Sequence, residues 1–297
     1  MKKYTLALFS LLISATLFNS CKKEYETIES VDEGKIQAYI TKNNLTMTKD
    51  ASGAYYQVLE QGTGDLLVNR DSVLFTYTMV GLEDGVTYYT TPGYSNLGTY
   101  FGYLGSYYNE AWASAFAGQR QGAKVRMLIP SYLAFGKNGS TTYNIPSNAV
   151  LDTYVTTYST NKQWQIDDQR IQTYLTSKGL SAVKDASRIY YINNTPGTGA
   201  DVITQTSTVV YKYTARFLDG TVFDSSTDGT YSTTLAGVIV GWQKIIPNYK
   251  AGAKFRIFIP SDLAYGTGGS VNSTTGATVV PANTVLDFDI EIVSVTN

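Results

Sequence analysis

An internal duplication constrains this 297-residue chain more than any other feature. "DEGKIQAYITKNNLTMTKDASGAYYQV" (32–58) aligns without a gap to "DDQRIQTYLTSKGLSAVKDASRIYYIN" (167–193), at an offset of 135 residues. That period is too long for a solenoid, whose repeats run about 20–50 residues, so the chain reads as two tandem copies of one domain. In each copy Ile36/Ile171, Tyr39/Tyr174 and Ile40/Leu175 recur at the i, i+3, i+4 spacing of a short amphipathic helix. Ser30 and Glu33 fit a capping box at the first helix start. Asn44 and Gly179 match each other, and both residue types tolerate the left-handed backbone of a helix end. Gly-Thr-Gly turns follow at 62–64 and 197–199.

Beyond the turns the period changes to two. Val209, Tyr211, Tyr213, Ala215 and Phe217 share one face, and Val210, Lys212, Thr214 and Arg216 the other, which makes a strand with one buried side. Val73, Phe75, Tyr77 and Met79 form its partner pattern upstream. "AKVRMLIPS" (123–131) and "AKFRIFIPS" (253–261) are a second matched pair of strands, and "VLDTYVTTY" (150–158) and "VLDFDIEIV" (285–293) a third. Between them, short helical stretches carry Trp112 and Trp242, each ten residues before a glycine (Gly122, Gly252). The expected fold is α+β: two tandem domains, each an antiparallel sheet wrapped on a short helix and preceded by a short N-terminal helix. The boundaries expected are 31–160 and 161–297.

Composition narrows the chemistry. The 25 Tyr, with abundant Thr and Val, favour strands, and a net charge of −1 carries no electrostatic footprint for nucleic acid. With no His, neither Ser–His–Asp nor Cys–His catalysis is available, and the commonest metal ligand is missing. The single Cys excludes an internal disulfide and a thiolate metal cluster.

That Cys stands at position 21, after Lys2, Lys3 and the apolar run "YTLALFSLLISATLF", which is too short to span a bilayer comfortably. The segment resembles a bacterial lipoprotein signal (1–20), cleaved before a Cys21 that is then lipid-modified. Ser20 fits that pattern, whereas Phe18 stands where Leu is more usual. A plain secretory signal with an incidental Cys is the alternative. The charged "KKEYETIES" (22–30) reads as part of a tether over 21–30, and its charges resemble a surface-export signal. The implied location is the cell envelope, with a lipid anchor to the outer membrane on its periplasmic or surface face.

The downstream copy carries "DGTVFDSS" (219–226) where the upstream has "DGVTYYTT" (84–91), so an acid is present in only one. The order Tyr213, "DGTVFDSS", Tyr231, "VIVGW", "AGAKFRIFIPSDLAYG" and "VVPANTVLDFDIEI" resembles an FKBP-type peptidyl-prolyl cis–trans isomerase over almost all of 200–297. The upstream half resembles that family more faintly, and lipid-anchored tandem arrangements of this kind resemble those of Bacteroidetes-type bacteria. Carried over, the family's pocket falls on Tyr213, Phe223, Asp224, Tyr231, Val238, Ile239, Trp242, Tyr265, Val280 and Phe288. The resemblance implies Asp224, Tyr213 and Tyr265 as catalytic groups and the others as substrate-binding. Trp242 would be the floor under the proline ring, the Ile239 backbone N–H a donor to substrate, and the Tyr265 hydroxyl another. The segment from Tyr265 to Pro281 spans 16 residues, against 11 from Phe135 to Pro146, so substrate contacts from it do not transfer.

Such a site needs no nucleophile, cofactor or metal. The X–Pro bond is a partial double bond with a barrier of about 18–20 kcal/mol, and it exchanges unaided over roughly tens of seconds or longer. Rotating it by about 90° breaks amide resonance, so the twisted state is less polarised than the planar one, and a dry aromatic pocket favours it. A thousandfold acceleration requires about 4 kcal/mol. Strand alternation puts Tyr213 inside the sheet, and the family places its Asp beside this Tyr. Asp224 is therefore expected to accept a hydrogen bond from the Tyr213 hydroxyl and to face the substrate carbonyl region, a partner that would offset the desolvation of a carboxylate in such a site. Capping of the "DSS" turn is the bland alternative.

Upstream, Tyr88 replaces Phe, Tyr89 replaces Asp, Tyr108 and Asn109 stand at Val238 and Ile239, Phe135 replaces Tyr265, and Thr153 replaces Phe288. Residues 31–160 are therefore expected to keep the architecture with weak or no isomerase activity, as a peptide- or glycan-binding module or a spacer. The rival for the whole chain is a non-catalytic FKBP-like binding lipoprotein for peptide or glycan. Trp112 and Trp242 are expected in the core and Trp164 in packing, with Tyr55–Tyr56 and Tyr190–Tyr191 against a sheet edge. Asp32–Glu33 and Asp167–Asp168 read as helix N-terminal acids rather than a calcium site. Gly-rich 266–269 lacks the Lys-Ser/Thr of a phosphate cradle and reads as a flexible loop. Partners are proline-containing polypeptides and the membrane lipid, with no nucleic acid or metal.

Overall fold

The computed structural model describes residues 26–297; the signal segment, Cys21 and the first half of the tether, to residue 25, lie outside the described residues. The first copy runs α1 (Ile28–Lys42), β1 (Thr48–Lys49), β2 (Tyr55–Glu60), β3 (Ser72–Gly81), β4 (Thr87–Thr90), β5 (Leu97–Tyr100), α2 (Leu104–Tyr107), α3 (Glu110–Phe116), β6 (Lys124–Ile129) and β7 (Leu151–Thr157). The second runs α4 (Gln163–Ser177), β8 (Val183–Lys184), β9 (Tyr190–Pro196), β10 (Thr208–Arg216), β11 (Val222–Thr234), α5 (Val240–Ile245), β12 (Ala253–Ile259), β13 (Ser270–Val271), β14 (Thr278–Val280) and β15 (Leu286–Thr296). The upstream sheet has the order β1-β2-β6-β7-β3-β4, with β5 also on β3; the downstream sheet has β8-β9-β12-β15-β10-β11, the same path. All these pairings are antiparallel. The architecture is α+β, two large sheets and one two-stranded hairpin with few helices.

Alternation decides which side of each sheet is dry. Val209, Tyr211, Tyr213, Ala215 and Phe217 are all buried, and so are Val73, Phe75, Tyr77 and Met79. The short helices α3 and α5 close over those faces and bury Trp112 and Trp242. The approach of α5 is tight at Gly241, where a Cβ would sit 2.5 Å from Ile259 Cγ2. Only glycine permits that contact.

The longer helices α1 and α4 cover the opposite faces through duplicated polar clamps. Arg126 forks onto both Asp152 oxygens at 2.9 and 2.7 Å and donates to the Tyr39 hydroxyl at 3.1 Å. Arg256 does the same with Asp287, at 2.8 and 2.6 Å, and with Tyr174 at 3.0 Å. The bidentate geometry suits a planar guanidinium and makes the pairs directional.

Three expectations about the helices are corrected. Thr27, whose Oγ1 accepts from Ser30 N, caps α1; Ser30 lies inside the helix and no capping box forms. The tether read over 21–30 therefore stops short of Ile28. Asp32 and Asp167 are not dipole-complementing surface acids. They are fully buried, and each accepts from the backbone N–H and hydroxyl of a serine, Ser131 or Ser261, at 2.7–2.9 Å. Burial holds the Asp167 carboxyl above its ordinary range despite the bonds from Ser261. Trp164 does not pack: it is 47 % exposed, on the outer side of the first turn of α4. Asn44 and Gly179 do adopt positive φ, 50° and 62°.

The Gly-rich segment after Tyr265 is not a featureless loop. Gly266–Gly268 form a 3-10 turn, and β13 and β14 then pair as a small hairpin. Among the described residues no helix is long and apolar enough to cross a membrane.

Both edge strands carry an excursion at the same place. Downstream, Tyr211 pairs with Tyr231 and Tyr213 with Ser226, leaving 227–230 outside the ladder. Upstream, Phe75 pairs with Leu97 and Thr78 with Thr90, leaving 91–96 outside. The upstream excursion lands on the downstream unit. Ser95 Oγ donates to Ala282 O at 2.8 Å, and Asn283 Nδ2 to Asn96 O at 3.1 Å. Arg170 ties the same segment down through Ser95 O at 2.7 Å and Asn96 Oδ1 at 2.8 Å.

Candidate functional site

In the downstream unit a cavity of about 360 Å³ opens between β10, β11, α5 and the turn after β12. Tyr213, Asp224, Tyr231, Val238, Ile239, Trp242, Tyr265 and Phe288 line it, together with Gly237. Strand pairing explains the convergence: Ala215 is opposite Asp224 on one side and Phe288 on the other. Trp242 projects from α5 into this row. Its ring meets Tyr213 edge-on at 5.5 Å and Phe288 edge-on at 5.3 Å. Tyr231 closes a further side, 5.3 Å from Tyr213. Trp242 and Phe288 are buried, whereas Tyr231 and Tyr265 are more than one-third exposed at the mouth.

The polar wall is organised by one bond. Tyr213 Oη donates to Asp224 Oδ2 at 2.7 Å. Asp224 is exposed, so the bond orients a hydrated carboxylate rather than rescuing a buried one, which corrects the expected desolvation argument. Burial pushes the Tyr213 hydroxyl well above its ordinary value near 10, and the bond to Asp224 adds to this. Burial first, and then the Asp224 charge, raise Tyr231 and Tyr265 as well. All three hydroxyls therefore stay protonated donors at neutral pH. The Ile239 N–H has no acceptor among the described residues, while its carbonyl accepts from Trp242 N at 3.0 Å and Gln243 N at 3.3 Å.

Two expected lining residues stand behind the cavity rather than on it. Val280 is 1 % exposed in the core, and Phe223 stacks on Phe217 at 4.7 Å, meeting Phe288 edge-on at 6.3 Å. Two residues went unremarked as site residues in the sequence. Gly237 lines the cavity directly, and Tyr211 lies beneath Trp242 at 5.0 Å. Tyr211 was legible as an inward position, but nothing in the pattern marked Gly237.

The corresponding upstream space is filled by its own rings. Tyr108 lies parallel to Trp112, 5.4 Å between centroids and 6° between planes, and meets Phe75 edge-on at 5.0 Å. Tyr89, opposite Met79 as Asp224 is opposite Ala215, packs on Tyr77 at 4.6 Å. Tyr143 packs on Tyr89 and Phe135. Thr153, in the place of Phe288, is buried with a hydroxyl that finds no partner. Asn109 caps α3 through Ala111 N at 2.9 Å and donates to Leu133 O at 2.6 Å.

A family model described as FKBP-type peptidyl-prolyl cis-trans isomerase matches residues 199–293. The FKBP-type peptidyl-prolyl cis-trans isomerase FkpA of Buchnera aphidicola subsp. Schizaphis graminum is 34 % identical over 122 residues, 40 % of this chain and 45 % of that protein. The FkpA of Aeromonas hydrophila is 42 % identical over 101 residues, 33 % of this chain and 35 % of that protein. The crystal structure of a peptidyl-prolyl cis-trans isomerase from Pseudomonas syringae pv. tomato matches at 30 % identity and a TM-score of 0.38, covering 45 % of this chain and 96 % of that one. The chain spans less than half the length of the two curated relatives. The match over residues 199–293 is to the FKBP-type peptidyl-prolyl cis-trans isomerase family, a family of enzymes.

Proposed function

We propose that the chain catalyses cis–trans isomerisation of X–Pro bonds without a covalent intermediate, in the cavity of its downstream unit. The observation that carries this reading is the cavity itself: a Trp242 floor, aromatic walls and one oriented carboxylate in a space of about 360 Å³. A proline ring seated on Trp242 leaves its imide among Phe288, Tyr231 and Tyr213, where water is excluded. Loss of resonance on twisting reduces the imide's polarity, so exclusion of water destabilises the planar ground state relative to the twisted one. The unpaired Ile239 N–H and the Tyr265 hydroxyl are donors for substrate carbonyls, and such bonds hold the chain on either side while the bond turns. Asp224, held by Tyr213, faces the mouth, where it acts on the carbonyl side of the rotating bond.

In this reading 161–297 is the isomerase domain and 31–160 a degenerate copy with little or no activity, its proline seat occupied by Tyr108. The basic start, the apolar run and Cys21 support export and lipid anchoring, and hence clients in the cell envelope. A prolyl assay by exchange NMR on the full chain tests the function. Turnover lowered in Asp224→Ala and in Trp242→Phe, and unchanged in Trp112→Phe, is expected. A folded chain without turnover, or turnover that follows Trp112, overturns it.

A further inference from the structure

The upstream unit contributes a ring to the core around this cavity. Tyr94, in the 91–96 excursion, packs against the downstream hydrophobic core. It stacks on Phe217 at 4.4 Å with the planes 13° apart, and Phe217 in turn stacks on Phe223 at 4.7 Å and 17°. Phe217 thus stacks with both Tyr94 and Phe223. Phe223 then meets Phe288, a wall of the cavity, and its chain neighbour is Asp224. A second set of contacts lands beside the same wall. Ser95 and Asn96 bind Ala282 and Asn283, in the short connection between β14 and β15, the strand that carries Phe288.

These two sets of contacts bracket the cavity wall from behind. Phe223 is only half-buried, on an edge strand whose far side has no further strand. The equivalent downstream excursion, "TDGT" at 227–230, is mostly exposed, and its Asp228 is bonded to Ser226 and Thr230 of the same turn. The upstream one, "TPGYSN" at 91–96, has Pro92, which stiffens the backbone, and Tyr94, which supplies the stacked ring.

We propose that Tyr94 is a positioning residue for the downstream site: by stacking on Phe217 it holds Phe223, and through it Phe288 and Asp224, in register for isomerisation. The degenerate copy is thereby a brace for the competent one rather than an inert spacer. This rests on the isomerase reading above.

The test compares Tyr94→Ala, Tyr94→Leu and Tyr94→Phe in the full chain, with two readouts. The first is hydrogen exchange of backbone amides at 222–226 and 286–288. The second is kcat and KM for an X–Pro peptide. Tyr94→Ala is expected to speed exchange in those segments and lower kcat by roughly two- to tenfold at little change in KM, in line with one lost aromatic pair. Tyr94→Phe keeps the ring and is expected to behave as the unmutated chain; Tyr94→Leu, which keeps apolar contact and folding, falls between. Unchanged exchange in Tyr94→Ala overturns the proposal, and so does faster exchange with kcat unaltered in an active chain. If the unmutated chain has no turnover, the isomerase reading fails instead. The exchange comparison then decides whether Tyr94 orders the wall.

Discussion

Tyr108 lies flat on Trp112, while the residue that succeeds it in the repeat, Val238, leaves Trp242 open as the floor of a cavity. One side chain therefore separates a filled seat from an empty one on the same scaffold. Around it, Tyr89 and Thr153 stand in place of Asp224 and Phe288, so emptying the seat alone does not rebuild the site.

Tyr108→Val is expected to uncover Trp112 without conferring isomerase activity on the upstream unit. Acrylamide quenching should rise in a chain whose other two tryptophans are replaced by Phe. A rise in prolyl turnover in a Trp242→Phe background would contradict the view that the missing carboxylate and Phe288 matter.

Asp224→Ala is expected to lower kcat/KM by roughly tenfold, the scale of one hydrogen bond to a charged group. Because Asp224 is exposed, the thermal midpoint should stay nearly unchanged. Asp224→Asn, which keeps an acceptor for Tyr213, should lose less. Equal loss in both variants would show that the charge, not the orientation, carries the effect.

The pH profile of kcat/KM should be level from neutral pH to about 10. Tyr213, Tyr231 and Tyr265 are all raised above the ordinary tyrosine value of 10.0, chiefly by burial, so each keeps its proton across this range. The sign for stability follows. A folded-state value above the unfolded one means the folded chain holds more protons above pH 10, so stability is intact below that and declines as pH rises further. An alkaline limb of activity centred below pH 9 would rule out these hydroxyls as protected donors.

Arg256→Ala should cost about 3–5 kcal/mol in urea unfolding, because it strands the fully buried Asp287 side chain without its partner. The paired replacement Arg256→Met with Asp287→Leu should recover most of that loss, since the apolar pair removes both desolvation costs. If the single variant is as stable as the unmutated chain, α4 is not docked through this clamp.

The duplication, the strand faces and the helix ends at Asn44 and Gly179 were all legible in the residues alone. Each depends on neighbours a few positions away, and burial on one face imprints a period of two or 3.6 directly on the chain. The Tyr213–Asp224 bond was expected only through the family resemblance; alternation by itself placed Tyr213 inside the sheet, and the register that brings Asp224 to it is a tertiary feature. Other features were settled only in three dimensions. Asp32 and Asp167 resemble ordinary helix acids until Ser131 and Ser261, nearly a hundred residues away, arrive to bond them. Phe223 shares the pattern of a lining residue but turns its ring to Phe217. Tyr94 carried no signal in the sequence, and its partner is 123 positions further along the chain. Where a ring points, and which surface it meets across the fold, depends on packing volume and long-range contacts. Neither leaves a local period in the sequence.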